Sequence, residues 1–381
     1  MIEELLEKFA GVDVEWKKLG EATFWDKKFQ GVNKKLQQKI LKFKHISSKE
    51  LKAIKKNDGN IKLLSTGNYS GYTTEDCVNK EYINYGEILT IPTGGTANIK
   101  YHNGYFVDSG NLICMAQDGV NLKYIYYYLL NINNTIQSLF RGSGIKHPSM
   151  PEILTLKIPI PPLEVQQQIV EVLDTFTELT AELTAELTAR QKQFEYYLNE
   201  KLSFGDDVEW KKLGEIAVIG TGKHDTKDAV KDGNYIFYAR GREPLKLNVF
   251  DFDETSIITA GDGVGVGKVF HYARGKYALH QRAYRIVPNE SVDTRFIYHY
   301  IVANFYNYIK KASVSSSVAS LRRPMFLKFP IPIPSLEKQK EIVDFLDQFN
   351  ELVNSSTNGL QREIELRQKQ YEYYRDKILS F

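Results

Sequence analysis

The sequence predicts an α+β fold in which two mixed α/β domains are separated by two long antiparallel helices forming a coiled coil, the whole carrying a pseudo-twofold internal repeat. Three observations predict it. Blocks of sequence recur in the same order in the two halves of the chain. Two stretches of about 40 residues carry apolar side chains at helical spacing. The segments between them read as short Ile-, Val- and Tyr-rich strands mixed with shorter helices. The expected boundaries are 1–162 for the first domain, 163–204 for the first spacer helix, 205–335 for the second domain and 336–381 for the second spacer helix.

The repeat rests on three blocks. Val14-Glu15-Trp16-Lys17-Lys18-Leu19-Gly20-Glu21 returns unchanged as Val208-Glu209-Trp210-Lys211-Lys212-Leu213-Gly214-Glu215. Ile158-Pro159-Ile160-Pro161-Pro162-Leu163-Glu164 returns as Ile331-Pro332-Ile333-Pro334-Ser335-Leu336-Glu337, with Gln166 matching Gln339 and Ile169 matching Ile342. Arg190-Gln191-Lys192-Gln193-Phe194-Glu195-Tyr196-Tyr197 returns as Arg367-Gln368-Lys369-Gln370-Tyr371-Glu372-Tyr373-Tyr374. Lys201-Leu202-Ser203-Phe204 leads into the second copy and is echoed by Lys377-Ile378-Leu379-Ser380-Phe381, so joining residue 381 to the start would give a nearly circular arrangement. Between the blocks, residues 22–150 and 216–323 share only scattered signals, such as Tyr101-His102-Asn103-Gly104 against Tyr272-Ala273-Arg274-Gly275. The frame therefore reads as repeated and the inserted domains as unlike.

Each spacer helix starts behind a Pro-rich run, where Pro is tolerated. The first carries Ile169, Leu173, Phe176, Leu183, Leu187, Phe194 and Tyr197 on one stripe, and the second Ile342, Leu346, Phe349, Leu360, Ile364, Tyr371 and Tyr374. A single helix of this length extends roughly 60 Å, more than one domain core can cover. Two such helices are expected to pack on each other, antiparallel, as a coiled coil. The first contains the unit Thr-Ala-Glu-Leu twice, at 180–183 and 184–187. Such units change the length by ~6 Å each while keeping the apolar stripe, which makes the segment a candidate ruler. Leu336 to Arg367 spans 31 positions and Leu163 to Arg190 spans 27, so the second frame is longer.

Composition bounds the function. The chain has 381 residues, 42% of them hydrophobic and 25% charged, with a formal net charge of +3, which permits a nucleic-acid partner without requiring one. Ten lysines crowd residues 34–62, a solvated face in the ordinary case and phosphate contacts in the sharper one. The two cysteines, Cys77 and Cys114, have no metal-ligand spacing and are expected to be buried thiols. The acidic, amphipathic start lacks the features of a signal peptide and no apolar run is long enough to span a membrane, so a cytoplasmic protein is expected. The glycine run 261–267 fails the P-loop pattern, because Asp262 stands where the first glycine belongs and Val269 follows Lys268. The seven histidines are scattered, and no methyltransferase, nuclease or helicase motif is present. No catalytic site, metal or cofactor is expected in this chain.

Taken together, the Trp-Lys-Lys-Leu-Gly-Glu starts at Trp16 and Trp210, the Ile-Pro-Ile-Pro entries at Ile158 and Ile331, and the Arg-Gln-Lys-Gln-aromatic blocks at Arg190 and Arg367 resemble the specificity subunits of type I restriction-modification enzymes. The resemblance covers nearly the whole chain. It implies two target-recognition domains, each binding one half of a bipartite double-stranded DNA site, held apart by the paired helices. It implies two methylation subunits docked on the helices, bringing S-adenosylmethionine and the catalytic site. Restriction subunits using ATP and Mg, two of them, would join in assemblies that cleave. A specificity subunit serving a fused restriction-methylation enzyme, and a coiled-coil scaffold with no DNA role, are the alternatives.

Side-chain type then selects candidate DNA-binding residues, since Arg, Lys, Gln and His can pair with base edges and phosphates. In the first domain these are Lys62, Thr66, Tyr69, Thr93, Thr96, Arg141, Ser143 and Lys146. In the second they are Thr221, Lys223, His224, Arg240, Arg242, Gln281, Arg282, Ser316 and Arg322. Candidate partner-binding residues on the repeated frame are Gln166, Gln193, Tyr197, Gln339, Gln370 and Tyr374.

Overall fold

The computed structural model describes residues 3, 9, 11–263, 265–312, 321–354 and 359–381. The chain forms two compact units, Met1–Glu182 with Ile364–Phe381, and Leu183–Glu363. Each unit therefore takes most of its mass from one half of the chain and a helical piece from the other.

In the first unit the order is β1 (Glu15–Lys18), α1 (Leu19–Ala22), β2 (Thr23–Trp25), α2 (Ser48–Ala53), β3 (Ile61–Leu64), β4 (Ser70–Thr73), β5 (Asn84–Ile91), β6 (Lys100–Asp108), β7 (Leu112–Ala116), α3 (Leu122–Asn131), α4 (Asn133–Ser138), β8 (Phe140–Arg141), β9 (His147–Pro148), α5 (Met150–Ile153), β10 (Lys157–Ile160) and the start of α6 (Leu163–Lys201). The second unit continues with β11 (Glu209–Lys212), α7 (Leu213–Ile216), β12 (Ala217–Thr221), β13 (Tyr235–Tyr238), β14 (Leu245–Leu247), β15 (Phe252–Ala260), β16 (Phe270–Leu279), β17 (Ala283–Pro288), α8 (Thr294–Ala312), α9 (Arg323–Leu327), β18 (Pro330–Ile333) and α10 (Leu336–Asn354). The last helix, α11 (Leu360–Ile378), lies almost wholly in the first unit.

The inserted domains are not unlike in fold. Each holds a six-stranded sheet, ordered β2-β7-β5-β6-β3-β4 in one and β12-β17-β15-β16-β13-β14 in the other. The pairings match as well: a long antiparallel hairpin (β5·β6, β15·β16), a parallel neighbour (β3·β6, β13·β16) and a short antiparallel edge. Sequence hid this because a sheet needs only alternation and burial, which many side chains satisfy. One faint signal was real. Gly104 and Gly275 lie at matching places on β6 and β16, and both take left-handed φ, 128° and 75°.

The repeated blocks meet in space. Trp16 pairs with Pro159 and Lys17 with Ile158 in the β1·β10 ribbon, and Trp210 pairs with Pro332 and Lys211 with Ile331 in β11·β18. Pro is accommodated because these are two-stranded ribbons with free edges. Behind each ribbon the core is apolar: Leu19, Ile158, Ile169 and Leu173 in one unit, Leu213, Ile331, Ile342 and Leu346 in the other, all buried.

The first spacer helix runs unbroken as expected. The second does not: α10 and α11 are separate, with a bend at Gly359, whose carbonyl accepts from the Arg362 and Glu363 amides at 3.0 and 3.2 Å to open α11. Gly within a helix costs about 1 kcal/mol, and here it stands at an entrance instead. Residues 355–358 lie outside the described residues. The four extra positions of the second frame fall between Phe349 and Arg367, across this change of helix, so they do not simply lengthen a rod.

Of the two thiols expected to be buried, Cys114 is, in the first core, whereas Cys77 is half-exposed on a surface turn, near the Thr74 hydroxyl.

Candidate nucleic-acid interface

In the second unit the sheet order brings several candidates to one end. The turn 221–224 crosses the end of β16 so closely that a Cβ on Gly222 would sit 1.9 Å from the Leu279 carbonyl oxygen, an approach open only to Gly. Across that end the Gln281 amide donates to the His224 carbonyl at 2.9 Å and Gln281 Nε2 donates to Asp225 Oδ2 at 3.0 Å. Arg240, beyond β13, and Arg282, before β17, both reach Asp262, beyond β15, donating to its two oxygens at 2.9 and 3.1 Å. Burial raises the Asp262 pKa, and the two guanidinium hydrogen bonds more than offset this, holding the carboxyl below its ordinary value. Thr221, Asp262, Gln281, Arg282 and Tyr284 line one cleft. His224 Nε2 lies 3.1 Å from Asp251 Oδ1, and the exposed Lys223 ammonium 3.6 Å from the same oxygen. Arg242 and Arg322 are exposed on nearby loops of the chain. Ser316 lies outside the described residues.

The first unit gathers a different set at the same end. The loop 92–98 meets two others: the Gly95 amide donates to the Lys146 carbonyl at 2.8 Å, and Asn98 Nδ2 donates to the Gly67 carbonyl at 3.0 Å. Thr93 Oγ1 donates to the Gly110 carbonyl at 3.0 Å, and its own carbonyl lies 2.6 Å from His147 Nδ1. Thr66, Thr93, Thr96, Ser143 and Lys146 are thus drawn into one loop cluster. Tyr69 is half-buried beneath the ammonium groups of Lys52 and Lys55, at 5.9 and 5.6 Å from its ring centre. Lys62 sits over the Tyr72 ring at 4.4 Å, and Arg141 is paired with Glu152 at 2.6 Å. The lysine-rich stretch is not one helix face, since only residues 48–53 of it are α-helical, but nine of its ten lysines are exposed.

Sequence reasoning missed Asp262, Lys100 and His147. Lys100 donates to the Ser65 and Gly67 carbonyls and so shapes the loop that carries Thr66. None of these stands in a motif, because their partners lie tens of residues away.

The frame residues expected to meet a partner divide. Gln166 and Gln339 are fully buried, which corrects their expected place on the surface. Each is a clamp: Gln166 Oε1 accepts from the Asn121 amide and Gln339 Oε1 from the Asp293 amide, both at 2.8 Å, while their Nε2 atoms donate to the Pro161 and Pro334 carbonyls at 2.8 Å. Tyr374 stacks on Phe176 at 5.6 Å in the first unit, and Tyr197 meets Phe349 at 6.0 Å in the second, the same aromatic contact built twice. Gln193 and Gln370 are half-buried and accept from Arg190 and Arg367 at 3.1 and 3.2 Å. The exposed frame residues are others: Trp16 and Trp210, Leu163 and Leu336, and Tyr196 and Tyr373, each pair at matching positions of the repeat.

The family profile of the type I restriction modification DNA specificity domain matches the chain twice, at residues 39–190 and 205–366. The chain belongs to this family. The specificity subunit of the EcoR124I/EcoR124II type I restriction enzyme of Escherichia coli is 33% identical over 68% of this chain and 71% of that one. A putative type I restriction enzyme specificity subunit of Haemophilus influenzae is 28% identical over 100% of this chain and 98% of its own. The crystal structure of the S subunit of a type I restriction-modification system from M. genitalium shares the fold, with a TM-score of 0.68, 15% identity and 97% of each chain covered. The first match takes in β3 to β7 of the first sheet but not β2, and the second takes in all six strands of the other. Among the described residues no cluster of His, Cys, Asp and Glu could hold a metal ion, and no helix is long and apolar enough to cross a membrane.

Proposed function

We propose that this chain is the non-catalytic sequence-specificity subunit of a type I restriction-modification system, reading an asymmetric bipartite site on double-stranded DNA. The observation that carries the reading is the pairing of likeness and difference: one sheet topology occurs twice, yet the loops at its strand ends carry Arg240, Asp262, Gln281 and Arg282 in one domain and Thr66, Thr93, Thr96 and Lys146 in the other. One scaffold with two unlike reading edges gives a target with two unlike halves. A half-site offers few base contacts, each worth ~1–3 kcal/mol of discrimination, so linking two readers multiplies specificity.

Two methylation subunits supply S-adenosylmethionine and the methylating site, and in assemblies that cleave, two restriction subunits using ATP and Mg join. The exposed frame residues Trp16, Tyr196, Trp210 and Tyr373, present once per repeat, suit two copies of one partner. The cytoplasm is the expected compartment.

The test is methylation mapping. The chain is expressed with its methylation subunits and modified sites are read across a genome. A bipartite motif with two different halves is expected. Exchange of residues 22–150 for another such domain should change one half only, and a change in both halves would overturn the independence of the two readers.

A further inference from the structure

We infer that Arg240 and Arg282, held by Asp262, form a guanine-reading site in the second domain. The inference rests on the DNA-reading function proposed above and assigns one part of it to named atoms. One carboxylate holds two guanidinium groups by a single nitrogen each, at 2.9 and 3.1 Å. Asp262 is half-buried, with 27% of its side chain exposed, whereas Arg282 is 63% exposed. Asp262 and Arg282 line one cleft with Thr221, Gln281 and Tyr284, and the more exposed guanidinium keeps donors there that Asp262 does not use. A guanidinium has five N–H donors in a rigid fork, so one spent on Asp262 leaves enough for the O6 and N7 acceptors of guanine in the major groove. Two cations on one anion leave a net positive charge at the cleft, which favours an acceptor-rich base edge over adenine or cytosine amino groups. Fixing the side chain beforehand removes rotamer entropy that binding would otherwise have to oppose.

The three equivalent positions of the first domain carry no charged side chain. Arg240 lies two residues beyond Tyr238, which pairs with Leu279; Thr66 lies two beyond Leu64, which pairs with Asp108. Asp262 lies two beyond Ala260, the end of β15, and Thr93 two beyond Ile91, the end of β5. Arg282 precedes Ala283, the partner of Ala260, and Asn111 precedes Leu112, the partner of Ile91. Thus Arg-Asp-Arg is matched by Thr66, Thr93 and Asn111, and Asn111 is fully buried on Asp108. The fold puts these three strand ends together in both domains, and only one of them arms the spot with guanidinium groups.

The experiment uses the full chain in complex with its methylation subunits. Methylation mapping first fixes the two half-sites, and the domain exchange assigns one to the second domain. That half-site should contain a G·C pair; its absence overturns the inference. Replacing the guanine with 7-deazaguanine, which lacks the N7 acceptor, should weaken wild-type binding roughly 10-fold or more at one position. Arg282→Lys keeps the charge and loses the fork, so it should lose this sensitivity while retaining its preference for the first half-site, which also shows that it folds. Asp262→Asn should lose the same sensitivity. A variant that still discriminates at that position, or that weakens binding to all sequences by one factor, overturns the site. If wild type shows no sequence preference, the DNA-reading function itself fails.

Discussion

Asp347 on α10 accepts a hydrogen bond from His299 Nε2 of α8 at 2.7 Å, and Arg295 grips the same carboxylate through Nε at 2.9 and 3.0 Å. The first unit repeats the contact with other residues: Asp174 on α6 accepts from Tyr127 at 2.5 Å and pairs with Lys123 at 2.6 Å. Each recognition domain is thereby bolted to its spacer helix at two points, by an Asp and by the buried Gln three residues into the helix. Asp347→Ala should destabilise the second unit by about 1–2 kcal/mol, the range for hydrogen bonds to a partly exposed charge. A denaturant titration measures it. Asp174→Ala should do the same for the first unit. Loosened bolts should also widen the range of accepted half-site gaps in methylation mapping without changing the half-site sequences.

Acid should weaken the Asp347 contact in a defined window. Burial raises its pKa, but the hydrogen bonds from His299 and Arg295 outweigh this and hold it at about 2, below the ordinary 3.8. A depressed carboxyl contributes stability above its unfolded value and loses it as pH falls through the folded one. The stability gap between wild type and Asp347→Ala should therefore shrink below about pH 4.

His45 titrates in the opposite sense. Its hydrogen bond to Asp108, 2.7 Å from Nδ1, and the buried Asp26, 3.4 Å from Nε2, outweigh desolvation and raise its pKa from 6.5 to about 9. A raised His contributes fully below its unfolded pKa and loses the contribution as pH climbs through the folded one. Wild type should thus exceed His45→Gln in unfolding free energy near pH 6, and the gap should close towards about pH 10. A gap constant over that range would rule out the charged His45.

Removal of residues 180–183 should change the half-site gap. Between Phe176 and Phe194 no residue of α6 is buried, and Leu183 and Leu187 are only half-buried, so no domain core depends on this stretch. Four residues shorten a helix by ~6 Å and turn it about 40° past a full turn, which nearly keeps the apolar stripe in phase. Methylation mapping should show a gap changed by one or two base pairs, at ~3.4 Å each, with both half-sites intact. Changed half-sites with an unchanged gap would end the ruler reading.

Tyr196→Ala and Tyr373→Ala should each weaken binding of a methylation subunit, measured by titration, while leaving the unfolding midpoint within error. Both rings are largely exposed, at 64% and 57%. Tyr197→Ala and Tyr374→Ala should instead lower stability, because those rings pack on Phe349 and Phe176.

Much was legible in the chain alone. The stretch Leu122–Leu130 reads as helical and falls in α3, the run Ser256-Ile257-Ile258-Thr259 reads as a strand and lies inside the longer β15, and the match of Gly104 with Gly275 was a true register mark. The site was legible by type but not by grouping. Arg240 and Arg282 are visible as cations; that Asp262 joins them depends on three strand ends far apart in sequence.

The frame was settled by sequence, since Trp16, Pro159, Gln166 and Tyr197 recur at matching positions in the second half and repetition needs no geometry to be seen. Folding decided what each repeated residue does. Gln166 and Gln339, polar and at a helix start, read as surface groups, yet they are buried because the loop amides of Asn121 and Asp293 arrive to satisfy them. The likeness of the two inserted domains was also decided in three dimensions. Strand order depends on which apolar faces can be buried together, and many unlike sequences bury the same faces.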